Sequence, residues 1–153
     1  MLRYTGLDAT QFAPLFDLDD ATLAAQGISR VICDASPGFP CRITLEDAEP
    51  GETLLLLSFQ HQDAATAYRA KGPIFVRQKA STTYDSHELP PVMRTRMLSV
   101  RAYDAGGMMV DADLADGTAV EVLCEKLLAR ADIAYLHVHN AKPGCYAARV
   151  ERA

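Results

Sequence analysis

The chain has no long hydrophobic run, no basic excess, no closely spaced cysteine pair, and no low-complexity tract or internal repeat. Each absence narrows what it can be. Its longest strongly apolar run, Leu54-Leu55-Leu56-Leu57, falls far short of the roughly 20 residues that span a bilayer. The opening MLRYTGLDATQFAPLFDLDD carries only short apolar groups broken by acids, unlike the apolar stretch of a secretory signal. The expectation is a soluble cytoplasmic protein with no membrane partner. The formal net charge is −5, whereas nucleic-acid binders show a basic excess and stacking aromatics, so no nucleic-acid partner is expected. Cysteines at 33, 41, 124 and 145 have neither zinc-ribbon nor CxxC spacing. In a reducing compartment they are expected as free thiols, although Cys33 and Cys41 flank a turn-rich stretch that could bring them within bridging reach.

What is present suits a globular chain. With 153 residues, 49% of them hydrophobic and 23% charged, residues 1–153 are expected to form one domain with a core of its own. The charge is unevenly spread: residues 69–101 hold seven Arg or Lys against two Asp or Glu, while acids outnumber bases on both sides. Such a stretch can furnish a pocket for an anionic small molecule, since guanidinium forks match carboxylate and phosphate, or it can simply solvate a surface.

Helix and strand signals interleave. Asp19-Asp20, then ATLAAQ and Gly27, predict a short helix with an acidic start and a glycine stop. ISRVICD predicts a strand, DASPGFP a loop and CRITLED a second short strand. The leucine run of GETLLLLSFQ predicts a central strand buried on both faces. DAATAYRAKG reads as one or two helical turns, PIFVRQK as a strand and STTYDSHELPP as a surface loop. RTRMLSVRAYD and MMVDADL, joined by Ala105-Gly106-Gly107, predict a hairpin. TAVEVLCEKLLAR is the clearest helix, with Thr118 and Glu121 at capping-box spacing and Val120, Leu123, Cys124, Leu127 and Leu128 on one face. That position buries Cys124 as an inert thiol.

The C-terminal stretch YLHVHNAKPGCYAARV reads as a final hairpin. Alternation puts Tyr135, His137 and His139 on one face and Leu136 and Val138 on the other. An H-x-H strand can supply two imidazole ligands to a transition metal. A third ligand would have to come from His61, Asp63, His87, Glu88 or a cysteine, and spacing selects none of them, so no metal ligand set is assigned. Otherwise the histidines make hydrogen bonds on a strand face. The position of Cys145 depends on register. A four-residue loop over Ala141-Lys142-Pro143-Gly144 sets Asn140 opposite Cys145 and His139 opposite Tyr146, which leaves the thiol on the Leu136/Val138 face. A three-residue loop or a bulge would move Cys145, Ala147 and Arg149 to the histidine face, where a protonated histidine or Arg149 would make the sulfur a nucleophile.

The segments Pro40-Cys41-Arg42, Pro50-Gly51-Glu52, Gly72-Pro73-Ile74-Phe75-Val76, Arg101-Ala102-Tyr103-Asp104, and His137-Val138-His139-Asn140-Ala141 with Gly144-Cys145 together resemble the bacterial family catalogued as domain of unknown function 1203, from about residue 28 to the C-terminus. The resemblance carries no activity or cofactor. It does imply that Cys41, Arg42, Arg101, Tyr103, Asp104, His137, His139, Asn140 and Cys145 belong to one cluster. The expected architecture is α+β: a mostly antiparallel mixed sheet, a few helices on one side and a C-terminal β-hairpin within the sheet. The functional expectation is a module that binds a small molecule, an anionic one in particular, or a partner chain. In it Arg42, Arg101, Tyr103, Asp104, Asn140 and Arg149 line the ligand site. The alternative is a small-molecule enzyme with Cys145 or Cys41 as nucleophile and His137 and His139 as acid and base, or a histidine-based metal site.

Overall fold

The computed structural model describes residues 1–153. Nine strands divide between two antiparallel sheets. The larger has the order β5-β1-β9-β8-β6-β7, from β1 (Leu2–Thr5), β5 (Asp85–Ser86), β6 (Met97–Tyr103), β7 (Met109–Asp116), β8 (Tyr135–Asn140) and β9 (Tyr146–Arg152). The smaller has the order β2-β3-β4, from β2 (Ser29–Ile32), β3 (Thr53–Gln62) and β4 (Ala70–Arg77). The helices are short: α1 (Asp20–Ala25), α2 (Pro91–Arg94) and α3 (Val120–Leu128). No helix is long and apolar enough to cross a membrane. The α+β class and the C-terminal β8–β9 hairpin are as the residue pattern predicts.

Alternation along the large sheet sorts its two faces. Leu98, Val100 and Ala102 of β6, Leu136 and Val138 of β8, and Ala148 and Val150 of β9 join Val120, Cys124, Leu127 and Leu128 of α3 in the main core. Fully burying each large aliphatic side chain contributes roughly 1.5–3 kcal/mol, so this face anchors the sheet. A second core forms between the small sheet and α1, with Leu55, Leu57, Ile74 and Val76 packed against Leu23, Ile28 and Phe12. β3 is central in its sheet, and its leucines bury on both sides, as expected of an unbroken apolar run.

Three local expectations are corrected. Residues 41–47 form no strand: Cys41 and Pro40 make isolated bridges to Phe75 and Asp47, and the chain turns between them through Leu45 at φ 52°. Residues 63–69 form bends and turns rather than helix, with Arg69 bonded to the Asp63 carbonyl; the segment is pinned beside the β6–β7 turn, where Thr66 Oγ1 donates to the Gly107 carbonyl. Gly107 has φ +83°, and a Cβ there would meet Ala64 Cβ at 2.3 Å, so only glycine permits this approach. The α3 capping box does not form. Ala119 is the N-cap residue, and Thr118 turns back to Asp116, whose Oδ1 accepts from both its amide and its hydroxyl.

Candidate functional site

The second face of β8 is covered, not solvated. His137 and His139 are 2% and 0% exposed, with the ring of His61, near the end of β3 of the small sheet, and that of Tyr146 packed against both. The pairing of β3 with β4 shifts register between Phe59 and Gln62. At that irregularity His61 meets the large sheet, its ring stacked on Tyr146 at 5.5 Å and edge-on to His139 at 4.9 Å. One ligand atom from each of His61, His137 and His139 lies within 4.8 Å of the others. The sequence offers several third ligands for the H-x-H pair, and the fold selects His61. Of the other candidates, His87 sits at the far edge of the sheet with Nδ1 bonded to the Leu2 carbonyl at 2.8 Å, and the remainder lie outside the triad.

Each of the three rings has a buried nitrogen with no hydrogen-bond partner: Nδ1 of His61, Nδ1 of His137 and Nε2 of His139. Such groups are normally satisfied, so three together require an explanation. For His139 the tautomer follows from geometry. Its Nδ1 is 2.9 Å from the Gly144 carbonyl; a carbonyl only accepts, so Nδ1 carries the proton and, in the neutral ring, Nε2 presents a lone pair. This is the arrangement by which outer contacts orient a metal-binding imidazole.

The electrostatics keep the rings neutral. Burial pushes His137 and His139 down to about 3, with Arg149 adding to the effect on His137 and Arg101 to that on His139. His61 is also lowered, by burial first and then Arg101. Arg101 lies directly opposite His137 in the β6–β8 ladder and forms no ion pair with any carboxylate. Arg149 lies opposite His137 on the other side, paired with Glu151 at 2.7 Å and stacked 3.9 Å over the Tyr135 ring. Tyr103, Tyr135 and Tyr146 complete an aromatic wall, each ring centroid 5.0–5.3 Å from that of His137. Gln62 Nε2 donates to the Tyr135 hydroxyl at 2.9 Å.

The β8–β9 register combines both alternatives open from the sequence. The loop has four residues, with the Asn140 amide donating to the Cys145 carbonyl and His139 opposite Tyr146. A bulge then follows, since the next pair is Val138 with Ala148. That extra residue carries Arg149 to the histidine face and leaves Cys145 off it. The partners of Cys145 Sγ are Arg42 Nη2 at 3.2 Å and Asn140 Nδ2 at 3.4 Å, and no imidazole bonds to it.

The predicted cluster therefore resolves into two neighbouring groups and two outliers. Arg101, Tyr103, Arg149, His137 and His139 gather between the sheets; Arg42, Asn140 and Cys145 gather at the hairpin turn. Cys41 is fully buried in the core of the small sheet, its sulfur accepting the amides of Ile43 and Arg77 at 3.4 Å. Asp104 organises the β6–β7 turn, its Oδ1 accepting from the amides of Gly106 and Met108. All four cysteines are free. Sequence reasoning passed over Tyr146 and Gln62 as site residues. Tyr146 could have been placed from its position opposite His139, but Gln62 depends on how the two sheets meet.

Residues 38–152 match the family described as protein of unknown function (DUF1203). No curated protein and no solved structure matches the chain. The matched segment spans most of the chain and includes the hairpin, β6 and β3; the chain belongs to this family.

Proposed function

We propose that this family member is a metal-binding domain, with His61, His137 and His139 as the protein ligands of one divalent transition metal. The observation that carries the reading is the convergence of three imidazoles, two buried and one half-buried, each with a buried, unpartnered nitrogen and each pushed toward the neutral form. Neutral imidazole is the form that binds metal, and an all-nitrogen set suits zinc, copper, nickel or iron rather than calcium or magnesium. An ion about 2.0–2.1 Å from each nitrogen in a tetrahedral site holds them about 3.4 Å apart. The triad's nitrogens stand within 4.8 Å of one another, and a bound ion would draw them closer.

Three protein ligands are the number found in zinc sites that keep a position for water or substrate, whereas closed structural sites use four. The bound metal would supply Lewis acidity at that position. Arg101, uncommitted to any carboxylate, provides positive charge for an anionic ligand there, while Arg149 and the tyrosines hold His137 in place. The same reading places the protein in the cytoplasm, where four free cysteines stay reduced.

The test is metal analysis of purified protein, followed by titration of the chelator-treated protein with Co2+ and Zn2+. The expected result is one equivalent bound, a four- or five-coordinate Co2+ spectrum, and a gain of about 2.7 kcal/mol in stability at zinc a hundredfold above Kd. No retained metal, together with a melting temperature indifferent to zinc, would overturn the reading.

A further inference from the structure

A cleft of about 610 Å3 opens where the β8–β9 turn meets the small sheet. It is separate from the histidines. Its apolar wall includes Leu56 and Phe75, cross-strand partners in the β3–β4 ladder, together with Pro143. Its charged lining residues are Arg42, Arg96 and Lys142, and no Asp or Glu lines it.

The cations differ in how they are compensated. Arg96 is neutralised by Asp47 at 2.7 Å. Arg42 is 2% exposed, and every partner it has is formally neutral: the Tyr146 carbonyl at 2.5 Å, the Pro40 carbonyl and Cys145 Sγ. Lys142, on the exposed loop, forms no ion pair. A guanidinium taken out of water without a counter-ion carries a cost of several kcal/mol that a nearby anion offsets. Asn140, which also lines the cleft and is 7% exposed, has an amide oxygen with no donor. The wall thus carries positive charge without a counter-ion.

We propose that this cleft is a binding site for a small organic anion, a monocarboxylate with an apolar body of about six carbons. Its head group lies among Arg42, Lys142 and Cys145 Sγ, and its body lies against Leu56 and Phe75. The site stands apart from the metal reading and survives its failure.

Cys145 reports on the cleft. Alkylation by iodoacetate or iodoacetamide forms an S–C bond from a sulfur electron pair, iodide leaves with the C–I pair, and the thiol proton goes to buffer. The reagents differ mainly in charge. Their rates at Cys145 are followed by peptide mass spectrometry in the folded protein and in the urea-unfolded chain. The expected iodoacetate-to-iodoacetamide ratio is about tenfold higher in the folded protein, because two nearby cations attract the anionic reagent in a partly desolvated cleft. Millimolar hexanoate slows the labelling about threefold or more and hexanamide does not, a charge preference of the same electrostatic origin. Lys142→Ala, on an exposed loop where folding is unaffected, lowers the ratio about threefold. A folded-state ratio equal to that of the unfolded chain, or equal protection by hexanoate and hexanamide, would sink the proposal.

Discussion

The middle and the turn of one β-hairpin treat charge in opposite ways. At the middle, His137 and His139 are neutral, packed against tyrosine rings and His61 of the second sheet, and each has a buried ring nitrogen without a partner. At the turn, a few residues away, Arg42 and Lys142 supply unneutralised positive charge beside an open cleft and a sulfur. One region presents unpartnered ring nitrogens between Arg101 and Arg149; the other presents Arg42 and Lys142 with no carboxylate partner. As proposed, a metal would complete the first and a carboxylate the second. Two hydrogen bonds join them, from His139 Nδ1 to the Gly144 carbonyl and from Arg42 Nε to the Tyr146 carbonyl.

The comparison breaks most sharply at His61, which is half-buried and comes from the other sheet. His61→Ala is expected to weaken Zn2+ binding on the order of a hundredfold or more, since two ligands fall short of a stable site. Isothermal titration checks this. The charge ratio of Cys145 alkylation stays unchanged in that variant; a parallel loss would mean that the two regions are one site.

Arg42→Met tests the other end. It leaves two buried carbonyls without their donor while relieving the burial of an uncompensated charge, and the expected net loss is about 1–3 kcal/mol in urea unfolding. Metal affinity measured under folding conditions is preserved. An unchanged unfolding midpoint would show that the guanidinium contributes nothing net.

Acid separates the regions by their protons. His137 and His139 are held near 3 in the folded protein, against about 6.5 in an unfolded chain. Between those values the unfolded state binds more protons, so stability falls as pH drops from 6.5 toward 3, by up to about 1.4 kcal/mol per pH unit for each imidazole. Urea titrations of metal-free protein across that range measure the slope, and His137→Gln makes it shallower. Above pH 7 this contribution is fully present and the slope from these groups vanishes. The smallest effect is at Lys142: Lys142→Ala shifts the melting temperature by less than about 1 °C, as expected of an exposed side chain with no partner. Calorimetry checks this, and a larger shift would reveal a structural role for the loop lysine.

Much of the scaffold was legible in the pattern of residues. The β6–β7 hairpin, α3 and the β8–β9 hairpin follow from alternation and helical spacing, which act locally. The misread segments failed for a tertiary reason. Residues 41–47 look like a strand because Cys41, Ile43 and Leu45 alternate, but those side chains bury without a ladder partner. Residues 63–69 have helical composition, yet contacts with the Gly107 turn decide their path.

The order of residues by itself determined that His137 and His139 share a face and that Cys145 lies just past a Pro-Gly turn, because strand alternation and turn chemistry are local properties. Only the tertiary structure decided that His61 is the third imidazole and that a bulge parts Arg149 from Cys145. It also decided that Arg42, more than a hundred residues away in the chain, caps the sulfur. These outcomes depend on how two sheets pack across one another, which no run of neighbouring residues encodes.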